Sequence, residues 1–168
     1  MSGAKALNAK ALKLRAEDDE DLAIIGACLK GAFGCLNEMA YDRPARRFAA
    51  ILLRPRWEAV AVATPEAPDA PEAPEAPEVL EAPEAPGGLA HMRTGLHFDH
   101  VNAVRYRRLD RAQPRALLYL VSIVSAPLSE RFSIILSFQG GGEIFLEVDR
   151  LSGHMRDLDS ARPDPSPR

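Results

Sequence analysis

The feature that most constrains the fold is the stretch 131–151, RFSIILSFQGGGEIFLEVDRL, in which apolar side chains recur at every second position on both sides of a glycine run. This period is typical of half-buried β-strands, because successive side chains of a strand point to opposite faces. Glycines 140–142 can adopt the positive φ angles that tight turns require. The stretch therefore predicts an antiparallel hairpin that directs Phe138 and Leu146 into a hydrophobic core.

The other apolar patterns predict helices at both ends of the domain. Leu22, Ile25, Leu29 and Phe33 form one helical stripe after the acidic run 17–21, which supplies an N-cap at Asp18 or Asp19. Near the C-terminus, positions i, i+4 and i+7 of a short closing helix are occupied by Leu151, Met155 and Leu158.

Further strands are predicted over residues 36–41, 47–57, 95–107 and 117–124. The fold class that follows is α+β: a mostly antiparallel sheet, or a partly closed barrel, of five to six strands with an N-terminal and a short C-terminal helix. A pleckstrin-homology-like barrel is one arrangement of this kind.

Residues 64–88 read TPEAPDAPEAPEAPEVLEAPEAPGG and interrupt this pattern. Proline recurs every third residue over much of the segment, which suits an extended polyproline II spacer and offers little apolar surface for a core. Because strand patterns lie on both sides, we expect an acidic insertion, disordered over 64–90, within a single domain spanning 15–159. The tails 1–14 and 160–168 are expected to be flexible.

The net charge of −3 conceals two opposite parts. The segment 64–88 holds seven acidic and no basic residues, which leaves 17 acidic against 21 basic residues elsewhere. Seventeen of the basic residues are arginine, the side chain best suited to phosphate and carboxylate recognition. Arginines near aromatic residues on two predicted strands suggest a surface for RNA or another polyanion. Its candidate residues are Arg46, Arg54, Arg105, Arg107 and Arg108.

Cys28 and Cys35 are separated by six residues, which is neither a metal-binding spacing nor a disulfide framework. Reduced thiols, together with the absence of a long apolar run and of a secretory signal, predict a cytoplasmic protein without membrane contact.

The sequence also contains the residue types of a metal site. On one strand His97 and Asp99 would share a face, and with His154 they form the ligand set of an iron facial triad. However, His154 lies in the predicted closing helix, and the chain is short for a double-sheet jelly roll. His100 would point to the opposite face, as expected of histidines that are simply polar strand positions. We therefore expect no metal, no cofactor and no catalytic residues.

Four stretches together resemble a family of bacterial proteins. They are AEDDEDLAIIGACLKGAF, RRFAAILLRPRWE, LHFDHVNAVR and FQGGGEIFLEVDRLSGHMRDL, and the most characteristic positions are Trp57-Glu58, the glycine hairpin and the terminal Asp157-Leu158. The resemblance is to the alphaproteobacterial domain-of-unknown-function family 2948. It implies a single cytoplasmic domain without an assigned activity, and it brings no site residues with it.

The leading functional hypothesis is consequently a non-catalytic binding or scaffolding module with a protein partner. An RNA- or polyanion-binding protein is the alternative, and a small metal-dependent enzyme is the third hypothesis.

Overall fold

The computed structural model describes residues 11–56 and 91–158, which contain ten β-strands, one α-helix and one short 3₁₀ helix at Leu36–Glu38. The predicted insertion, the C-terminal tail, most of the N-terminal tail and the end of the strand predicted at 47–57 lie outside the described residues. The elements in chain order are β1 (Lys13–Ala16), α1 (Asp19–Leu29), β2 (Phe33–Cys35), β3 (Met39–Asp42), β4 (Arg47–Pro55), β5 (His91–Phe98), β6 (Val101–Arg107), β7 (Leu117–Leu128), β8 (Arg131–Phe138), β9 (Glu143–Val148) and β10 (Gly153–Asp157).

All strand pairs are antiparallel, and the strands form one open sheet in the order β1-β10-β5-β4-β2-β7-β8-β9-β6, with β3 paired to β4 as well. We call strands β1, β10, β5, β4 and β3 the first half-sheet, and strands β7, β8, β9 and β6 the second. The two are joined through β2, where Phe33 pairs with Leu53 on one side and with Tyr119 on the other. Side chains from both half-sheets and from α1 belong to one hydrophobic core.

The predicted fold class is wrong in its number of strands, in its second helix and in the partly closed barrel. Strand accounts for 58% of the described residues and helix for 12%, and the sheet is open. The segment predicted as one strand over 95–107 is two strands, since the chain turns at Asp99 and His100, where His100 adopts a φ of 60°. Strand β5 then pairs with β4 and β10, whereas β6 pairs with β9.

Strand β10 replaces the predicted closing helix. Its buried positions are Gly153, Met155 and Asp157, which alternate with the more exposed His154 and Arg156. Gly153 has no side chain and Asp157 is charged, so this period of two is invisible to a search for apolar residues.

The sequence correctly predicts the hairpin of β8 and β9 and most of the helix α1. The hairpin buries Phe138 and Leu146 at 3% and 0% exposure. Helix α1 begins after the N-cap Asp18, whose carboxylate accepts a hydrogen bond from the Asp21 amide. Phe33 does not continue the helical stripe, because it lies in β2.

A buried ion pair connects the strands of the first half-sheet. Arg54 of β4 donates from Nε and Nη2 to the two carboxylate oxygens of Asp157 of β10, at 2.8 and 2.6 Å. Asp157 also accepts from Thr94 Oγ1 of β5 and from the Leu12 amide just before β1, both at 2.8 Å. One carboxylate therefore links four neighbouring segments. At the same end of the half-sheet, the last residue of β4, Pro55, pairs with the first residue of β5, His91. Residue 56 follows one member of this pair in sequence, and residue 90 precedes the other.

Candidate functional site: a histidine–aspartate cluster on the first half-sheet

The most distinctive polar cluster lies on the outer face of the first half-sheet, the face directed away from the core. His97 of β5 and His154 of β10 are cross-strand partners, whereas their neighbours Leu96 and Met155 are buried. Asp99 follows β5 directly, and its backbone amide donates to the Ser152 carbonyl at 2.9 Å. The turn at Asp99 and the register of β10 thus bring together three side chains that span 57 residues of sequence.

The donor atoms of the three side chains lie close together. Asp99 Oδ2 lies 3.6 Å from His97 Nε2 and 3.7 Å from His154 Nε2. The imidazole rings are nearly parallel, with centroids 4.6 Å apart and an interplanar angle of 20°. Each histidine side chain is about one third exposed, so the cluster is reachable from solvent.

Arg47 of β4 holds the carboxylate in this orientation. Its Nε donates to Asp99 Oδ1 at 2.6 Å, which leaves Oδ2 directed at the histidines. Partial burial would raise the pKa of the Asp99 carboxyl, but the hydrogen bond and the charge of Arg47 outweigh burial and lower that pKa. The carboxylate is therefore ionised at neutral pH. The sequence does not predict this role of Arg47, because nothing in it indicates a contact across 52 positions.

The imidazole of His97 is available as an electron-pair donor. Burial, the neighbouring His154 and the charge of Arg47 lower the pKa of His97, against the opposing effect of Asp99. A neutral imidazole carries a lone pair on one ring nitrogen, and it is the neutral form that ligates metals.

The spacing of the donors fits a transition-metal ion. Ligands at 2.0–2.1 Å in a tetrahedral site lie about 3.4 Å from one another. The two nitrogen–oxygen distances exceed this value by only a few tenths of an ångström, and all three donor atoms lie within 4.8 Å of one another. Two imidazoles and one carboxylate suit zinc or ferrous iron. The main sequence argument against a metal site, the helical placement of His154, is wrong because His154 lies in β10.

The structure does not bring the five candidate polyanion-binding arginines together on one surface. Arg54 is completely buried against Asp157, so it cannot contact a ligand at the surface. Arg46 is bound to Asp149 and Asn102 near the start of β6. Arg105 and Arg107 lie two residues apart on one face of β6, and Arg107 is 3.6 Å from Glu143. Arg108 follows the strand and is exposed.

The comparison with protein families identifies the chain. Residues 12–167 match the model of a family described as "Protein of unknown function (DUF2948)". The chain belongs to the DUF2948 family. This DUF2948 protein matches no curated protein and no solved structure. Its bacterial class stays a prediction from resemblance.

No helix within residues 11–56 and 91–158 is long and apolar enough to cross a membrane. Over the same residues both cysteines are half-buried and outside any disulfide.

Proposed function

We propose that this DUF2948 domain is a binding module whose ligand is a divalent transition metal. The ligands would be Nε2 of His97, Nε2 of His154 and Oδ2 of Asp99. A single observation carries the proposal: two imidazole nitrogens lie 3.6 and 3.7 Å from one carboxylate oxygen, and all three donor atoms lie within 4.8 Å of one another. The proposal replaces the sequence-based expectation that the protein holds no metal.

The distances also favour a metal over direct hydrogen bonding. Separations of 3.6 and 3.7 Å are too long for a hydrogen bond between imidazole and carboxylate. Asp99 Oδ2 therefore faces two nitrogens at distances too long for a hydrogen bond, while Oδ1 accepts the hydrogen bond from Arg47. An ion between the three atoms would supply each of them with a partner. Arg47 then has the part that outer-shell residues play in known metal sites, where they orient the ligating carboxylate.

Three protein ligands on an exposed face leave coordination positions open, as in metal sites that take up an exogenous ligand. Zinc and ferrous iron are the metals that this donor set suits best. Whether the site is catalytic is a separate question, and the absence of catalytic activity stays a prediction from the sequence.

The test is metal binding by the purified protein. Apo protein is titrated with Zn²⁺, and anaerobically with Fe²⁺, by calorimetry, and metal content after dialysis is measured by mass spectrometry. We expect one equivalent per chain. His97→Ala, His154→Ala and Asp99→Asn should each weaken binding at least about 100-fold, and Arg47→Gln should weaken it about 10- to 100-fold.

His91→Ala is the matched control. His91 lies on the same strand and face as His97, about 20 Å away at a rise of about 3.3 Å per residue. Its replacement should leave affinity unchanged. If wild-type protein retains no metal, or if the His91 variant loses as much affinity as the His97 variant, the proposal is wrong.

A second proposal concerns Arg105, Arg107 and Arg108 as a polyanion-binding surface. The observation in its favour is the position of Arg105 and Arg107 on one face of β6, the last strand of the sheet, with Arg108 directly after them. A protein partner and a cytoplasmic location likewise stay proposals from the sequence.

A further inference from the structure

The outer face around the histidine–aspartate cluster carries an excess of positive charge. Arg15 of β1 is the cross-strand partner of His154, and Arg156 lies two residues beyond His154 on the same face. Lys13 pairs with Arg156, and Arg47 contacts Asp99. Among the described residues, two carboxylates pair with these basic side chains: Asp99 itself, and Glu17, which is 2.5 Å from Arg15. Asp18 and Asp19 line a cavity that Arg15 also lines, together with the further basic residue Arg150.

A divalent metal would add two further positive charges to this surface. The combined charge favours a ligand that carries more than one negative charge, since neutral or cationic ligands would gain nothing from the arginines. The Arg15–Glu17 pair does not oppose such a ligand, because both side chains are 63% exposed and exposed pairs of this kind contribute little free energy.

One small residue, Ala49, leaves room beside the cluster. The other cross-strand neighbour of His97 is Ala49, and the residue two positions before it on the same face is Gly95. The next residue across the sheet from Gly95 is Arg156. The Leu158 side chain covers Gly95, with its Cδ2 3.6 Å from the place a Cβ of residue 95 would take. A ligand bound to the metal would therefore lie over Ala49, and Arg156 is two residues from His154 on the same face.

We propose that the metal held by His97, Asp99 and His154 takes a phosphate group as its exogenous ligand, with Arg156 and Arg15 as the counter-charges. The inference rests on the proposed metal site. A phosphate group carries about −1.5 to −2 charges at pH 7 and three oxygens that can reach a metal and a guanidinium at the same time. Guanidinium groups match phosphate geometry with paired N–H donors.

The phosphate group can belong to inorganic phosphate or to a phosphomonoester. A cavity of about 500 Å³ is lined by Arg15, Arg150, Phe132 and Ser152, and also by the acidic residues Glu17, Asp18 and Asp19, so the phosphate group itself would stay at the metal and only the organic group would enter the cavity. Ser152 connects the cavity to the cluster, because its carbonyl binds the Asp99 amide. The cavity is large enough for a small organic group, and Phe132 offers that group an aromatic surface.

The experiment uses protein loaded with one equivalent of Co²⁺, whose visible absorption reports the metal's ligand set. Inorganic phosphate, phenyl phosphate and acetate are titrated in parallel at constant ionic strength and pH, by spectroscopy and by calorimetry. We expect phosphate to bind one to one and to change the cobalt spectrum. Apo protein should bind it at least tenfold more weakly, and acetate should bind at least tenfold more weakly than phosphate.

Two variants separate the arginines from the metal ligands. Arg156→Gln should weaken phosphate binding about tenfold while Co²⁺ affinity stays within about threefold of wild type. Arg115→Gln is the control, because Arg115 is exposed, lies two residues before β7 of the second half-sheet and should change neither affinity. Tighter binding of phenyl phosphate than of phosphate would assign a monoester, and equal or weaker binding would assign the free ion.

The outcomes distinguish this inference from the metal site on which it rests. If Co²⁺ binds but neither phosphate compound changes the spectrum or gives heat at millimolar concentration, the metal site stands and the phosphate assignment is wrong. Equal affinity for acetate, or equal losses in the Arg156 and Arg115 variants, also overturns it. If Co²⁺ itself does not bind, both proposals fail together.

Discussion

Replacing Arg54 by methionine should lower the free energy of unfolding by about 3–5 kcal/mol. The Arg54 and Asp157 side chains are 0% and 1% exposed, and two hydrogen bonds of 2.8 and 2.6 Å connect them. Removing the cation alone leaves a buried carboxylate without its partner, which is the costly way to break such a pair. Thr94 and the Leu12 amide continue to donate to Asp157, so the loss should not exceed this range.

Removing both charges should cost much less than the two single losses added together. In Arg54→Met/Asp157→Leu no uncompensated charge remains, and apolar replacements of buried ion pairs are often close to neutral. The Leu12 amide would lose its acceptor, which costs about 1–3 kcal/mol, whereas the Thr94 hydroxyl keeps the Met92 carbonyl at 3.3 Å as an acceptor. The double-mutant cycle should therefore give a coupling energy of at least about 2 kcal/mol between Arg54 and Asp157.

Urea unfolding followed by far-ultraviolet circular dichroism measures these differences for wild type, both single variants and the double variant. Arg93→Met is the control, because Arg93 is exposed on the same half-sheet and its loss should change stability by less than about 0.5 kcal/mol. A loss below about 1 kcal/mol for Arg54→Met, or strictly additive effects in the cycle, would refute the reasoning.

The same pair predicts a pH dependence with a definite sign. Burial would raise the pKa of the Asp157 carboxyl, but hydrogen bonds from Arg54, the Leu12 amide and Thr94 outweigh burial and lower that pKa. A carboxyl whose pKa is lower in the folded state stabilises the fold above its unfolded pKa of about 3.9. That contribution is lost as the pH falls through the folded pKa. The stability difference between wild type and Asp157→Asn should therefore be full at pH 7 and should shrink below about pH 4.

Two further predictions concern the second half-sheet. Phe138→Ala should cost about 3–5 kcal/mol in urea unfolding because Phe138 is 3% exposed, whereas Gln139→Ala, an exposed position, should cost less than about 0.5 kcal/mol; equal losses would contradict the register of the hairpin. If Arg105 and Arg107 bind phosphates, the affinity for single-stranded RNA should fall with salt, and removing each contact should flatten the log–log slope by about 0.7. A slope that is the same after reversal of both charges would exclude them from an RNA surface.

The elements that the sequence predicts well are those whose pattern is apolar and local. The hairpin of β8 and β9 has alternating apolar residues on both arms and a glycine turn between them, so its register follows from residues 131–148 alone. Helix α1 likewise carries its N-cap Asp18 and its buried stripe within its own sequence.

The histidine–aspartate cluster depends instead on a strand and a turn that have no apolar pattern or turn residue to mark them in the sequence. Two of the three buried positions of β10 are Gly153 and Asp157, which have no apolar side chain. Asp157 can be buried because it pairs with Arg54, which lies 103 positions earlier in the chain. The turn at His100 has no glycine or proline to mark it. His97, Asp99 and His154 could be chosen as chemically plausible ligands from the sequence, but their proximity follows only from the register of β10 and from a turn that the sequence does not mark.

The pairing of Pro55 with His91 has a consequence for engineering. Paired residues of an antiparallel ladder lie about 5 Å apart, so the ends that residues 57–90 must connect are held together by the sheet itself. The entropic cost of closing such a connection rises by only about 0.6 kcal/mol for each doubling of its length. A foreign peptide or a reporter domain with adjacent termini should be accepted at this position. New chain termini opened here, with the original ends joined by a linker, should yield a circularly permuted protein that keeps the same ladder.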